Sequence, residues 1–152
     1  MIVQRVKKKD LLDVWIWKND AKTIFFSKNK KKISLKKHKQ WFSSALNNSK
    51  IKFYIGVIFY KKKEIKKVGI VRFDIKKRYA LVSINLNPQM RGKKLSDIFL
   101  AAAIKKFLRF KKIKLLAEIK KNNLASISCF LKNNFIFLKS KNQYSFYQRS
   151  LG

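Results

Sequence analysis

Period-two and period-3.6 hydrophobic patterns alternate along the chain and seldom overlap. Ile2 to Val6 reads as a short strand, followed by a helix over Asp10 to Lys18 that buries Leu11, Leu12, Val14 and Trp15. Lysine and asparagine then dominate until Ser34, which reads as the N-cap of a helix from Leu35 to Leu46. That helix places Leu35, His38, Trp41, Phe42 and Leu46 on one broad face. Three strand-like runs follow, Lys52 to Tyr60, Lys67 to Ile75 and Tyr79 to Leu86. Lysine-rich turns at Lys61 to Glu64 and Lys76 to Arg78 join them into an antiparallel meander. In the third run Ala80, Val82, Ile84 and Leu86 face one way, and Leu81, Ser83 and Asn85 the other.

Pro88 stops that strand because it has no N–H to give to a ladder. The loop Gln89 to Lys93 leads into a long apolar helix, Leu95 to Phe110. Ile113 to Ile119 reads as a strand, Asn123 to Lys132 as a helix, and Phe135 to Leu138 and Tyr144 to Gln148 as two closing strands. The predicted order is β-α-α-β-β-β-α-β-α-β-β. No internal repeat, linker or composition break divides it, so residues 1–152 are expected to form a single domain.

Composition adds several exclusions. At 47% hydrophobic and 14% aromatic, the chain is too apolar for a disordered basic tail. The longest purely apolar run, Ile98 to Ile104, is far too short to span a bilayer, so no membrane insertion is expected. Lysines occupy the N-terminal positions where a secretory signal needs its apolar stretch, which predicts a cytoplasmic protein. A single cysteine, Cys129, excludes an internal disulfide, and a single histidine, His38, leaves no cluster for a metal.

The formal charge of +32 suits a nucleic-acid binder, but the kind of basic residue does not. There are 33 lysines against six arginines, spread along the whole chain. Specific phosphate and base recognition favours arginine's planar fork. Abundant lysine, asparagine, isoleucine and phenylalanine with little glycine or proline fits an AT-rich genome, and compositional drift is the preferred explanation. Such a field still attracts anionic small molecules.

Candidate chemistry concentrates between Ser83 and Ser96. A strand that stops, a turn containing Arg91-Gly92 and a helix N-terminus together leave backbone N–H groups free for a pyrophosphate. Lys93 and Lys94 add charge beside them. By local pattern alone an ordinary strand-to-helix turn with solvated lysines is the better reading.

Element order and local signature together resemble the GNAT superfamily of acetyl-CoA-dependent N-acetyltransferases over nearly the whole length. Arg91-Gly92-Lys93-Lys94-Leu95-Ser96 is similar to that family's Arg/Gln-x-x-Gly-x-Gly/Ala loop, with Lys94 and Ser96 at the two glycine positions. Asn123-Leu124-Ala125-Ser126, continuing through Phe130, Lys132 and Asn134-Phe135, resembles its Asn-x-Ala-Ser-x-x-x-Tyr/Phe-x-Lys-x-Gly-Phe. Asn134 stands at the glycine position, and asparagine accepts the left-handed conformation there.

This resemblance implies an α/β fold, a mixed and mainly antiparallel seven-stranded sheet with helices on both faces, its fourth and fifth strands splayed. It implies acetyl-CoA as cosubstrate, entering that wedge with its amide arm on the strand edge at Asn85 and Leu86. The loop from Arg91 to Ser96, Leu95 included, then holds the pyrophosphate, Asn123 meets the pantetheine arm, and Ser126 and Phe130 lie beside the thiol. Phe130 stands where many relatives carry a proton-donating tyrosine, so Tyr144, Tyr147 or a water must serve, or the thiolate leaves unassisted. Glu118 is one of two glutamates in the chain. It is either the base that relieves the acceptor amine of its proton or a strand-end salt bridge.

Trp17-Lys18-Asn19-Asp20, then Ser27, then Ile33-Ser34 through His38 to Trp41-Phe42, resembles the pattern of acetyltransferases acting on nucleotide-linked amino sugars, notably those of pseudaminic-acid synthesis. That likeness implies acetyl transfer to the primary amine of such a sugar, with Trp17, Asn19, Asp20 and His38 near the acceptor. The alternative is two core tryptophans, Trp17 and Trp41, favoured for Trp41, with Asn19-Asp20 an ordinary turn and His38 fixing the second helix. Two other readings stay open: a ribosomal-protein or other N-terminal acetyltransferase, and a non-catalytic or RNA-binding module. The expected state is a monomer or homodimer, without a metal.

Overall fold

The computed structural model describes residues 1–61 and 64–151 and centres on a seven-stranded sheet in the order β1-β2-β3-β4-β5-β7-β6. The strands are β1 Ile2–Arg5, β2 Ile51–Tyr60, β3 Glu64–Ile75, β4 Tyr79–Leu86, β5 Lys114–Lys120, β6 Ile136–Lys141 and β7 Tyr144–Arg149. Five helices accompany them: α1 Leu11–Lys18, α2 Ala21–Phe26, α3 Leu35–Asn47, α4 Ser96–Phe110 and α5 Leu124–Lys132. Every strand pair is antiparallel except β4–β5, which is parallel. The predicted meander is therefore present as β2-β3-β4, although Lys62 and Lys63 of its first turn lie outside the described residues.

Alternation along the strands divides the core in two. Val71, Phe73, Ala80 and Val82 face α4, where Phe73 stacks on Phe107 at 4.1 Å between ring centres. Phe53, Ile55 and Ile70 face the other way and pack on Val14 and Trp17 of α1 and Phe42 and Ala45 of α3. Burying each such side chain contributes about 1.5–3 kcal/mol. Gly56 is required by the close seat of α4: a Cβ there would lie 2.7 Å from the Phe99 ring.

Three expectations need correction. In the first helix Val14 and Trp17 are the buried residues, while Leu12 is exposed and Trp15 sends its indole N–H to the Ile33 carbonyl at 2.8 Å. The lysine-rich stretch before Ser34 contains α2, a six-residue helix with no buried residue and hence no core-facing stripe to read. Its start is set by the Asp20 carboxylate, which accepts the Thr23 N–H at 3.1 Å. The sixth strand begins at Ile136, because Phe135 closes the preceding helix: its N–H bonds the Phe130 carbonyl and its ring meets Phe130 edge-on at 4.9 Å.

Candidate active site

The site follows from a break in the sheet. β4 and β5 pair only at Tyr79↔Lys114, Ala80↔Leu115 and Leu81↔Leu116. Beyond Leu116, β5 runs on with β7, and Val82–Leu86 of β4 keeps a partner only in β3. The strands diverge into a wedge whose β4 edge carries backbone groups with no strand partner. A cleft of about 590 Å³ occupies it. Asn85 and Leu86 form one wall, Glu118, Ile119 and Lys120 the other, and Phe130 of α5 closes one end.

The loop after β4 is built for close approach. Asn87 caps the 3-10 turn Pro88–Met90, and Arg91 then turns the chain toward α4. Gly92 has φ +72° and open space around its Cβ direction. Lys94 has φ +56°, a left-handed conformation normally left to glycine. The lysine at the family's glycine position therefore keeps the glycine backbone. Asn134 does the same at φ +63°. Leu95 starts α4 without a side-chain cap, leaving first-turn N–H groups for a ligand or solvent.

Arg91 also ties this loop to α2. Its Nη1 donates to Asp20 Oδ2 at 2.7 Å and its Nη2 to Thr23 Oγ1 at 2.9 Å. The Thr23 hydroxyl donates on to Asn85 Oδ1 at 3.1 Å. Burial works against the Asp20 carboxylate, yet the Arg91 guanidinium and the Thr23 N–H outweigh it and hold its pKa below the usual carboxylate range. One network thus joins the α1–α2 turn, the β4 edge and the loop.

The other end of the cleft lies on the α3 side of the sheet. Lys18 places its ammonium 3.5 Å from the centre of the Trp41 ring, and the Arg72 guanidinium lies 5.5 Å from the same centre. Arg72 is paired with Asp74. Burial, reinforced by the Arg72 charge, pushes the Lys18 pKa down to about 8. Across the wedge Glu118 Oε1 accepts Lys28 Nζ at 2.7 Å, and Lys120 donates to the Phe25 carbonyl at 3.0 Å. Desolvation and the neighbouring Lys30 lower the Lys120 pKa. Cys129 also touches the cleft, but burial pushes its thiol up to about 12, too basic for a nucleophile.

The predicted residues divide three ways. Asn85, Leu86, Arg91, Gly92, Ser96, Glu118, Asn123, Ser126 and Phe130 line the cleft together. Lys93 and Lys94 are solvent-exposed beside it, and Leu95 is outside its lining. Trp17, Asn19, Asp20 and His38 are not among the residues lining it. Trp17 is core. Asn19 spends its amide on both backbone groups of Ile33, at 2.7 and 2.9 Å, pinning the segment before α3. Asp20 is held by Arg91, and His38 is fully buried with Nε2 on the Leu11 carbonyl at 3.0 Å. Of the tyrosines considered for Phe130's missing hydroxyl, Tyr144 lines the cleft and Tyr147 is buried in the core.

Lys28, Arg72 and Thr23 were not expected in the site; Lys18 lies in the Trp17–Asp20 segment expected near the acceptor, and of that segment it alone lines the cleft. For Arg72 a signal existed, since period two in its strand puts it on the same face as Ile70. Thr23 and Lys28 offered none, because they lie on or just after a helix without an apolar stripe.

No protein-family model and no curated protein sequence matches the chain. Solved structures do. A domain from Methanocaldococcus jannaschii DSM 2661 superposes with a TM-score of 0.86 at 19% identity, over 99% of this chain and 97% of that one. The ribosomal-protein-alanine N-acetyltransferase of Brucella melitensis gives 0.79 at 18%, over 99% and 100%. The Campylobacter jejuni N-acetyltransferase PseH in complex with acetyl coenzyme A gives 0.72 at 13%, also over 99% and 100%. At these identities the likeness establishes architecture: the chain has the GNAT N-acetyltransferase fold.

Proposed function

We propose that the protein transfers the acetyl group of acetyl-CoA to the primary amine of a nucleotide-linked deoxyamino sugar. The observation that carries the transferase part is the wedge, where an unpaired strand edge meets an uncapped helix N-terminus. Free N–H groups from Gly92 to Ser96 suit a pyrophosphate, and exposed Lys93 and Lys94 add attraction. The β4 edge at Asn85 and Leu86 suits an amide-bearing arm, and Asn123 and Ser126 face it from α5. Acetyl-CoA would supply an activated thioester. The chain's own part is to align the amine, hold Glu118 where it takes the amine's proton, and aim β4-edge N–H groups at the developing oxyanion.

The acceptor class rests on charge. Glu118 is the only carboxylate among the described residues lining the cleft, against Lys18, Lys22, Lys28, Lys31, Lys120, Arg72 and Arg91. Such a wall favours an amine carried on an anion over a polycation. The test is acetyl-CoA consumption, with product masses, over amino-sugar nucleotides, N-terminal peptides and polyamines. Turnover with an amino-sugar nucleotide alone supports the proposal. Preferred turnover of a peptide moves the chain to the protein N-terminal class. RNA retention at physiological salt without acetyl-CoA binding moves it to the non-catalytic class.

A further inference from the structure

The seven aspartate and glutamate side chains each pair with a cation. Asp10 and Asp13 hold Lys67, Asp20 holds Arg91, Glu64 holds Lys66, Asp74 holds Arg72, Asp97 holds Lys132 and Glu118 holds Lys28. Lys18 has none among the described residues. Instead its ammonium sits on the Trp41 face, part-buried in the cleft wall, with a second cation, Arg72, on the same ring. Asp74 engages Arg72 through Nε and Nη2, leaving Nη1 without a partner among the described residues. Two cations gathered on one indole repel each other, and a ring quadrupole offsets only part of that. A surface lysine avoids such a position by turning to solvent. An anion within reach of both charges would relieve that repulsion.

We propose that Lys18 and Arg72, held against Trp41, form an anion subsite that takes a phosphate oxyanion borne by the acceptor. The subsite lies on the α3 side of the sheet, whereas the Arg91–Ser96 loop opens α4 on the opposite side, so the two phosphate-binding places are separate. Only the word acceptor rests on the acetyl-transfer reading; the binding itself needs no acetyl-CoA. A diphosphate of a nucleoside and the monophosphate of a sugar share the chemistry, and both serve as probes.

Calorimetry with uridine diphosphate and with glucosamine 6-phosphate, with and without saturating CoA, tests it on the full chain. The parent is expected to bind at least one probe in the presence of CoA. Lys18→Met is expected to weaken that binding about tenfold or more, while leaving CoA affinity and melting temperature near the parent's. Arg72→Gln is expected to act in the same direction, and Lys18→Arg to retain binding. A probe that CoA displaces completely, or binding by Lys18→Met within twofold of the parent, overturns the subsite. If CoA never binds but probe binding still needs Lys18, the subsite stands and the acetyl-transfer reading falls. The better probe identifies which phosphate source the subsite fits.

Discussion

Lys28 Nζ lies 2.7 Å from Glu118 Oε1, so the carboxylate in the cleft wall already holds an ammonium. That geometry suits a strand-end salt bridge and a base that receives a protonated amine alike. It does define a competition: an acceptor ammonium reaching Glu118 must displace Lys28. The cost is small, since the Lys28 side chain is 66% exposed and such pairs contribute about 0–1 kcal/mol.

Glu118→Gln keeps shape and hydrogen bonding but loses basicity. Turnover is expected to fall about 100-fold or more, with acetyl-CoA affinity nearly unchanged and partial recovery as rising pH supplies neutral amine. Undiminished turnover at neutral pH would leave Glu118 a salt bridge and give the proton to water.

Lys28→Met removes the competitor. The acceptor's kcat/KM should rise by up to about fivefold, the equivalent of an exposed ion pair. A marked fall instead would make Lys28 a binding residue rather than a stand-in for the amine.

Asp20 is expected to affect both substrates. Asp20→Ala removes the α2 cap and the partner of Arg91, whose other contact reaches Asn85 through Thr23. Stability should drop by about 0.5–2 kcal/mol from the cap alone. Acetyl-CoA affinity and acceptor KM should worsen together. A change confined to the acceptor would return Asp20 to direct contact.

What could be read from the sequence depended on period and on motif spacing. The three meander strands and α4 carry long, clean periods, so their places and faces were legible. Each motif keeps a glycine-like backbone at a lost glycine, Lys94 in the loop at φ +56° and Asn134 after α5 at φ +63°. The site's second half was not legible. Thr23 and Lys28 come from a segment with no buried residue, and the side chains of Asn19 and Asp20 bond the Ile33 backbone and Arg91. Polar residues brought together by tertiary structure leave no period to read.

The left-handed lysine gives a stability prediction. Lys94→Gly should raise stability by about 0.5–1 kcal/mol, the left-handed penalty less glycine's chain entropy. Gly92→Val, at φ +72°, should lower stability by about 1–2 kcal/mol and abolish acetyl-CoA binding. Thermal melts and a binding titration decide both. If Gly92→Val binds acetyl-CoA like the parent, the phosphate cradle lies elsewhere.

The last prediction is a pH profile. Lys18 sits near pKa 8, lowered first by burial and then by Arg72. The groups facing it are Arg72 with its partner Asp74, and His38. Burial and the Lys18 charge outweigh the Leu11 carbonyl bond and keep the His38 pKa below normal, so this ring is neutral through the alkaline range. A bound oxyanion favours charged Lys18 and therefore raises its pKa in the complex. By linkage, phosphate affinity is full below about pH 8 and declines as pH rises from there toward the higher pKa of the complex. Lys18→Arg keeps its charge across that window, so its affinity should stay level while the parent's falls. Lys18→Met should be weak and equally flat. Parent and Lys18→Arg profiles that fall together between pH 8 and 10 would place the titrating group outside this subsite.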